Sequence, residues 1–492
     1  MTNVLFIMAD QLNPKYLGAY GATSGLTPNL DRLAREGTVF DSAYCNSPIC
    51  VPARAAIATG RYPHQTRHWD NATPYNGQKP SWGHVAEQSG VQVTTIGKLH
   101  YKDNADVGFP DQRLAIGTDS APDYFSLLRA NIQPRPELSK MIRGAGAGNS
   151  SYCAFDQAVA SEASSWLRDA KTRDSPWALF VSLVSPHHPL IAPQKYFDSV
   201  DPDAVELPVD WQGDQQHPVL EILRGYYGYA EPFTEAQVRN AKRTYMALTR
   251  FLDDRVGEIL DTVRELALEE ETLILFTADH GDNVGDHGFW WKNNMYEGSV
   301  GVPMIAAGHN VQRGRRVSTP VSHVDIFPTV CEAIGAGSQK YAHLPGTSLL
   351  EVMAAPANEH RLIFAEYHAA GSSTGIFMAK RGRYKYVEYA GDYASQLFDL
   401  KTDPHERRNL ILDPEYTTLA DAMHQELRSI CDPEVVNAQA FSDQAAIIES
   451  AGGEEAIRRR GFVTHMPVPD GIHGKFDDGS ASAGVIVDAT SV

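Results

Sequence analysis

Thr272-Leu273-Ile274-Leu275-Phe276-Thr277-Ala278 runs without polar interruption and stops on Asp279-His280-Gly281-Asp282. Seven apolar or β-branched residues without alternation predict a strand covered on both faces, the kind found inside a parallel sheet. Open α/β sheets keep their ligands at the C-terminal ends of such strands. The same pattern recurs three times. Asn3 to Met8 leads into Asp10-Gln11, and Val91 to Ile96 leads into Gly97-Lys98-Leu99-His100. Trp177 to Val184 leads into Ser185-Pro186-His187-His188-Pro189, and Met304 to Ala307 reads as a further strand.

Helical patterns lie between these runs. Thr27-Pro28-Asn29 opens a helix through Glu36 that Gly37 closes, and Trp82 to Gln88 stops before Gly90. Further helices are expected over Phe155–Ala170, from Thr234 to about Leu268, and from Asp325 onward. Alternating strands and helices predict an α/β fold, with a large, mostly parallel sheet sandwiched by helices. From Arg361 the pattern changes to short alternating strands, at 363–367, 375–380, 384–389 and 396–400. These predict a smaller C-terminal α+β subdomain with an antiparallel sheet, and Asp403-Pro404-His405-Glu406 is expected to open its terminal helix.

A chain of 492 residues exceeds one ordinary core. The expected divisions are a catalytic unit over 1–355, the antiparallel-sheet subdomain over 356–440, and a Gly- and Asp-rich tail over 441–492. The tail is expected to join subunits in a homo-oligomer, a dimer or tetramer. Residues 101–149 and 193–233 read as excursions without a site signal. The formal charge of −18 argues against nucleic acid and anionic membranes as partners, but a locally basic site still suits an anionic substrate. The first apolar run is short and lacks a basic flank, no apolar stretch reaches membrane-spanning length, and five cysteines suggest reduced thiols. A cytoplasmic location is expected.

The most specific stretch is Cys50-Val51-Pro52-Ala53-Arg54-Ala55-Ala56-Ile57-Ala58-Thr59-Gly60. Pro52 suits a first helical turn, the alanines favour helix, and Gly60 suits its end. Cys50 then sits at a helix N-terminus, where free N–H groups favour an anion, with Arg54 one turn on. Taken singly, each feature has a plain structural alternative. Cys50 could be a small buried apolar residue, Lys98-x-His100 a solvated strand end, and the His187-His188 pair a rigid turn. Together their strand-end placement brings Asp10, Gln11, Asp279 and His280 to one sheet edge. Three oxygen donors and an imidazole there suit Ca²⁺ or Mn²⁺. Cys50, Lys98, His100, His187 and Lys292 gather at that edge, forming a trap for the charge of a sulfuryl or phosphoryl transition state.

Residues 50–60 resemble the signature of type I sulfatases of the alkaline phosphatase superfamily, in which the motif cysteine is converted to formylglycine. The resemblance extends to about Leu410, through Asp10-Gln11, Thr27-Pro28-Asn29-Leu30, Gly97-Lys98-Leu99-His100 and Pro186-His187. It continues through Asp279-His280-Gly281, Lys292, Tyr296-Glu297-Gly298, and Leu397-Phe398-Asp399-Leu400 with Asp403-Pro404. The metal pairs and Asp70-Asn71 are most similar to choline sulfatases and phosphonate monoester hydrolases.

The resemblance implies an alkaline-phosphatase-like fold and hydrolysis of a small organic or aryl sulfate ester. It also implies one divalent cation, Ca²⁺ before Mn²⁺, on Asp10, Gln11, Asp279 and His280. Cys50, as formylglycine made by a formylglycine-generating enzyme, would be the nucleophile, supported by Arg54. Lys98 and Lys292 would hold the sulfate, and Asn71 would contact it or the adjacent substrate oxygen. His187 would serve the leaving alkoxide, and His100 would act as base when the sulfated hemiacetal collapses. The sequence departs from the family at Gly301, where an arginine is usual, and at Ser185, where a histidine is common. It also lacks the tryptophan of a choline pocket, for which Tyr124, Phe125 and Glu366 are the available substitutes. Hydrolysis of phosphonate or phosphate esters, or oxyanion binding with Cys50 left as a thiol, are the competing readings.

Overall fold

The computed structural model describes residues 2–117, 122–212, 217–229, 231–337, 341–463, 466–469, 472 and 486–487. Its main elements, in chain order, begin with β1 (Asn3–Asp10), α1 (Pro28–Glu36), β2 (Gly37–Phe40), α2 (Cys50–Thr59), α3 (Trp82–Gln88), β3 (Gln92–Lys98) and β4 (Asp111–Ile116). Next come α4 (Pro136–Arg143), α5 (Ser151–Ala170), β5 (Trp177–Pro186), α6 (Pro218–Tyr226), α7 (Glu235–Glu265), β6 (Thr272–Ala278), β7 (Met304–Gly308), β8 (Arg315–Val317) and α8 (Ile326–Ala333). The C-terminal part holds β9 (Ile363–Tyr367), β10 (Ile376–Arg381), β11 (Tyr384–Tyr389), β12 (Gln396–Asp399), α9 (Thr417–Ile430), α10 (Pro433–Ser450) and α11 (Glu454–Arg460).

Eight strands form one sheet in the order β8-β2-β7-β6-β1-β5-β3-β4. β7 pairs antiparallel with both β6 and β2, and the other pairings are parallel. The centre of the sheet is buried throughout, which is why its strands read as unbroken apolar runs. Register is visible in the core: Phe6 of β1 pairs with Phe180 of β5, and their rings stack at 4.7 Å. Helices α5 and α7 pack on each other and on β5, while α2, α3 and α8 pack together elsewhere around the sheet. β9 to β12 form the antiparallel meander. Among the described residues, no helix is long and apolar enough to cross a membrane.

Three expectations change. The helix expected at Asp403 starts at Thr417, because the capping group of Asp403 is spent on a turn. Its carboxylate accepts from the Arg408 N–H at 2.8 Å, and its carbonyl from the Glu406 N–H at 3.1 Å. Glu406 is held at φ +51° with its carboxylate on the Glu297 N–H at 2.7 Å, a geometry that ends any helix there. The boundary expected after Ala440 falls inside α10, and helix continues to Arg460. Finally, the 101–149 and 193–233 excursions contain β4, α4 and α6. The strand is polar and partly exposed, and the two helices, of eight and nine residues, are shorter than the window over which helical periodicity is read.

Candidate active site

Helix α2 begins on Cys50, with Ile49 extended before it, and all ten of its residues are buried. Gly60 closes it at φ +63°, its N–H bonded to Ala56 O at 2.8 Å. The early N–H groups of such a helix have no intrahelical partner. That of Val51 donates to Asn71 Oδ1 at 3.1 Å, which ties the Asp70-Asn71 loop to the nucleophile turn. Cys50 Sγ lies 3.3 Å from His280 Nε2 and 3.9 Å from Asp10 Oδ1.

The ends of β1, β3, β5 and β6 converge on this sulfur. His280 Nδ1 meets Gly281 O at 3.0 Å, so Nδ1 carries a proton and Nε2 is the ring nitrogen turned to the site. One ligand atom each from Asp10, Cys50, Asp279 and His280 lies within 4.8 Å of the others, all from buried residues. Two carboxylates, an imidazole nitrogen and the position-50 side chain are a donor set that fits one divalent cation. Gln11 stands beside this group. Its backbone N–H donates to Asp279 Oδ1 at 3.1 Å, its Nε2 donates to Asp282, and its Oε1 accepts from Lys292.

Arg54 and Lys98 are held by the same carboxylates. Arg54 donates from Nε to Asp279 Oδ2 at 2.8 Å, from Nη2 to Asp10 Oδ2 at 3.1 Å, and from Nη1 to Ser182 Oγ at 3.0 Å. It therefore acts on position 50 through the acidic pair. Lys98 donates to Asp10 Oδ2, and Lys292 Nζ lies 3.0 Å from His187 Nε2. Burial alone would raise the Asp10 carboxyl, yet the Lys98 and Arg54 cations that contact it hold it well below the carboxylate range. Burial and Asp10 push the Cys50 thiol up, and Lys292, Lys98 and His280 more than offset them, leaving it below its ordinary value. Burial, with Lys98 and Arg54 nearby, keeps His100 well below the usual histidine value. Burial does the same for His187, helped by His188 and Lys292. Both imidazoles are neutral near pH 7.

Four non-glycine residues here occupy the left-handed region: Gln11 (φ +67°), His100 (φ +63°), Trp291 (φ +69°) and Asn293 (φ +81°). The last two flank Lys292. Such backbone persists only where the surroundings over-determine it, and it clusters at working sites. Asp156, buried on α5, accepts the N–H groups of Val184 and Ser185 at 2.7 Å each and so fixes the end of β5 beneath His187.

A cleft of about 790 Å³ opens above. Cys50, Asn71, Lys98, His100, His187 and Lys292 line it, so the sequence-derived residues gather there, with Arg54 and the acidic cluster packed around Cys50. Asp123, Arg135, Leu138, Tyr226, Tyr227, Trp291 and Met466 also line it, and sequence reading missed them. Only the Tyr226-Tyr227 doublet offered a signal. The expected choline-pocket substitutes lie elsewhere. Glu366 is enclosed between His64 Nδ1 at 2.8 Å and His368 Nε2 at 2.9 Å, and Tyr124 and Phe125 do not line the cleft. At Gly301, where the family arginine is missing, Glu297 instead pairs with Lys385 from the antiparallel sheet at 2.8 Å.

A family model described as sulfatase matches residues 2–336, and a model of the C-terminal region of N-sulphoglucosamine sulphohydrolase matches residues 285–432. The chain is 31% identical over 430 residues to the choline-sulfatase of Rhizobium meliloti (strain 1021), covering 84% of this chain and 83% of that protein. It is 30% identical over 468 residues to arylsulfatase K of Xenopus laevis, covering 89% and 84%. Among solved structures, the phosphonate monoester hydrolase of Agrobacterium radiobacter superposes with a TM-score of 0.70 at 25% identity, over 89% of this chain and 96% of that one. The chain belongs to the sulfatase family and is a sulfuric ester hydrolase.

Proposed function

We propose that the chain cleaves a small organic or aryl sulfate ester to alcohol and sulfate, using one divalent cation and a formylglycine made from Cys50 by a formylglycine-generating enzyme. The observation that carries this reading is the position of Cys50, at the first turn of a buried helix and 3.3 Å from His280 Nε2. The sulfur stands where the aldehyde hydrate oxygen of formylglycine would stand. Asp10, Asp279 and His280 would hold the cation, with Gln11 close enough to join by exchanging its contact with Lys292. Their oxygen-rich chemistry favours Ca²⁺, with Mn²⁺ second. A cation held there would supply Lewis acidity to the reaction.

The remaining steps belong to the side chains of the chain itself. Lys98 and Lys292 bind the sulfate oxygens, and Asn71 fixes the near side of the ester. His187 Nδ1 meets His188 O at 2.7 Å, so Nδ1 carries the hydrogen and Nε2 accepts from the Lys292 ammonium at 3.0 Å. The proton that reaches the leaving alkoxide therefore starts on Lys292, with His187 orienting it. His100 is neutral and its Nδ1 is buried without a hydrogen-bond partner among the described residues, which suits a base that takes a proton as sulfate is released.

A phosphonate monoester hydrolase activity on the same floor is the second reading, favoured by the likeness to the phosphonate monoester hydrolase structure. Turnover of para-nitrophenyl sulfate and of para-nitrophenyl phenylphosphonate, before and after chelation and with Ca²⁺ or Mn²⁺ restored, separates the two. Faster sulfate hydrolysis that chelation abolishes is expected. Faster phosphonate hydrolysis would favour the second reading, and retention of Cys50 as a thiol with sulfate bound but not turned over would favour a binder. Homo-oligomerisation through the tail over 441–492 is a separate proposal, and an unchanged mass by light scattering after truncation following Ala440 contradicts it.

A further inference from the structure

We propose that His188 and Trp291 are positioning residues for the leaving-group step, their packed rings holding His187 and Lys292 in register for proton delivery to the departing oxygen. The inference rests on the sulfate-ester reading above and deepens it. His187 follows the end of β5 and Lys292 lies in the loop after β6, 105 residues apart in the chain. Each brings a sequence neighbour, and those two neighbours touch. The His188 ring lies on that of His187, with centroids 3.9 Å apart and planes 26° from parallel. It also meets the Trp291 ring at 4.2 Å and 52°. With Lys292 Nζ 3.0 Å from His187 Nε2, the four residues form a closed circuit of contacts.

Both ends of the circuit are anchored. The Trp291 N–H donates to Asp282 Oδ1 at 3.0 Å, and its carbonyl accepts from the Asn283 N–H at 2.7 Å and from Asn283 Nδ2 at 2.8 Å. On the other side the His188 carbonyl accepts from His187 Nδ1 at 2.7 Å, and Tyr152 meets the His187 ring edge-on at 6.2 Å. His188 and Trp291 are buried and border the cleft. As the ester S–O bond breaks, its electron pair passes to the leaving oxygen. The proton that neutralises that oxygen comes from Lys292 Nζ, which is left as an amine. A basic leaving oxygen needs this proton, whereas para-nitrophenolate departs well without it. General-acid transfer is worth about a hundredfold or more, and a misplacement of about 1 Å can forfeit a hundredfold. Loosening the circuit is therefore felt most by esters of weakly acidic alcohols.

The test is the dependence of kcat/KM on the acidity of the leaving phenol, across aryl sulfates from para-nitrophenyl sulfate to phenyl sulfate. It uses the metal-loaded wild type and the His188→Ala, His188→Phe and Trp291→Leu variants, with Tm measured alongside. His188→Ala and Trp291→Leu are each expected to lose about tenfold more on phenyl sulfate than on para-nitrophenyl sulfate, so the dependence steepens. His188→Phe keeps a ring in the stack and is expected to recover most of the phenyl sulfate rate. Equal losses on every ester, unchanged rates on all of them, or a His188→Phe variant no better than His188→Ala would overturn the inference. If His188→Ala does not fold, Trp291→Leu decides the matter by the same comparison. Turnover with an unaltered leaving-group dependence defeats only this inference, whereas absence of turnover on every sulfate ester defeats the underlying reading with it.

Discussion

Lys292 is aimed by its neighbours. Trp291 and Asn293 hold the backbone in the left-handed region on either side, so the ammonium reaches both Gln11 and His187. Removing such a preorganised cation from a buried oxyanion site costs about a hundredfold or more in kcat. Lys292→Ala is expected to show that loss in steady-state kinetics, and a kcat within a few-fold of wild type would contradict its role. His68 makes a second case, away from the cleft floor. Burial lowers its pKa to about 4, against a Thr73 O bond that raises it. The folded value is below the unfolded one, so the unfolded chain binds the proton first as pH falls through about 6.5. Stability is therefore lost on acidification, by about 2 kcal/mol between pH 6.5 and 5 from this group. His68→Asn keeps a donor for Thr73 O and is expected to shrink the Tm difference between pH 7 and pH 5; an unchanged difference would show that His68 stays exposed to protons when folded.

Secondary structure was legible wherever burial was complete. β1, β5 and β6 could be read directly because their apolar runs have no solvent face, and their polar ends gave Asp10, Asp279 and His280. Residues 50–60 announced their own helix through Pro52, the alanines and Gly60. β4 was hidden because it is a polar edge strand, and the cap at Asp403 was misleading because a carboxylate can serve a turn as well as a helix. Asp123 and Arg135 escaped notice because their significance depends on pairing across a loop, which no local pattern encodes. The junction of β3 and β5 shows how tightly an element end is specified. Gly97 sits at φ +103°, and a Cβ there would lie 2.1 Å from Ser182 O, one residue before Lys98. Gly97→Ala is expected to cost about 3 kcal/mol and to lower kcat/KM as Lys98 is displaced. Thermal denaturation with an unchanged Tm would contradict that account.

Across the molecule, the C-terminal helices are part of the site's support. Gln444 of α10 is buried, donating to Asp70 Oδ2 and to His368 O at 2.8 Å each and accepting from Arg129 at 3.0 Å. It thereby links the antiparallel sheet to the loop that carries Asn71. Gln444→Ala leaves a buried carboxylate and guanidinium short of partners, and a loss of about 2 to 3 kcal/mol is expected, with a raised KM. A variant with wild-type Tm and KM would show the link to be dispensable. Farther on, Met466 returns to the cleft, its N–H donating to Tyr152 Oη at 2.7 Å and its carbonyl accepting from the same hydroxyl at 3.1 Å. The chain after 440 thus completes the enzyme as well as extending it.

All of this converges on the side chain at position 50. Mass spectrometry of the tryptic peptide spanning residues 36–54, taken from active protein made in a host with formylglycine-generating enzyme, tests it most directly. The account predicts a peptide that has lost H₂S and gained oxygen relative to the cysteine form, or the hydrate of that aldehyde, in proportion to sulfate ester turnover. An active preparation in which Cys50 is wholly unmodified would contradict it.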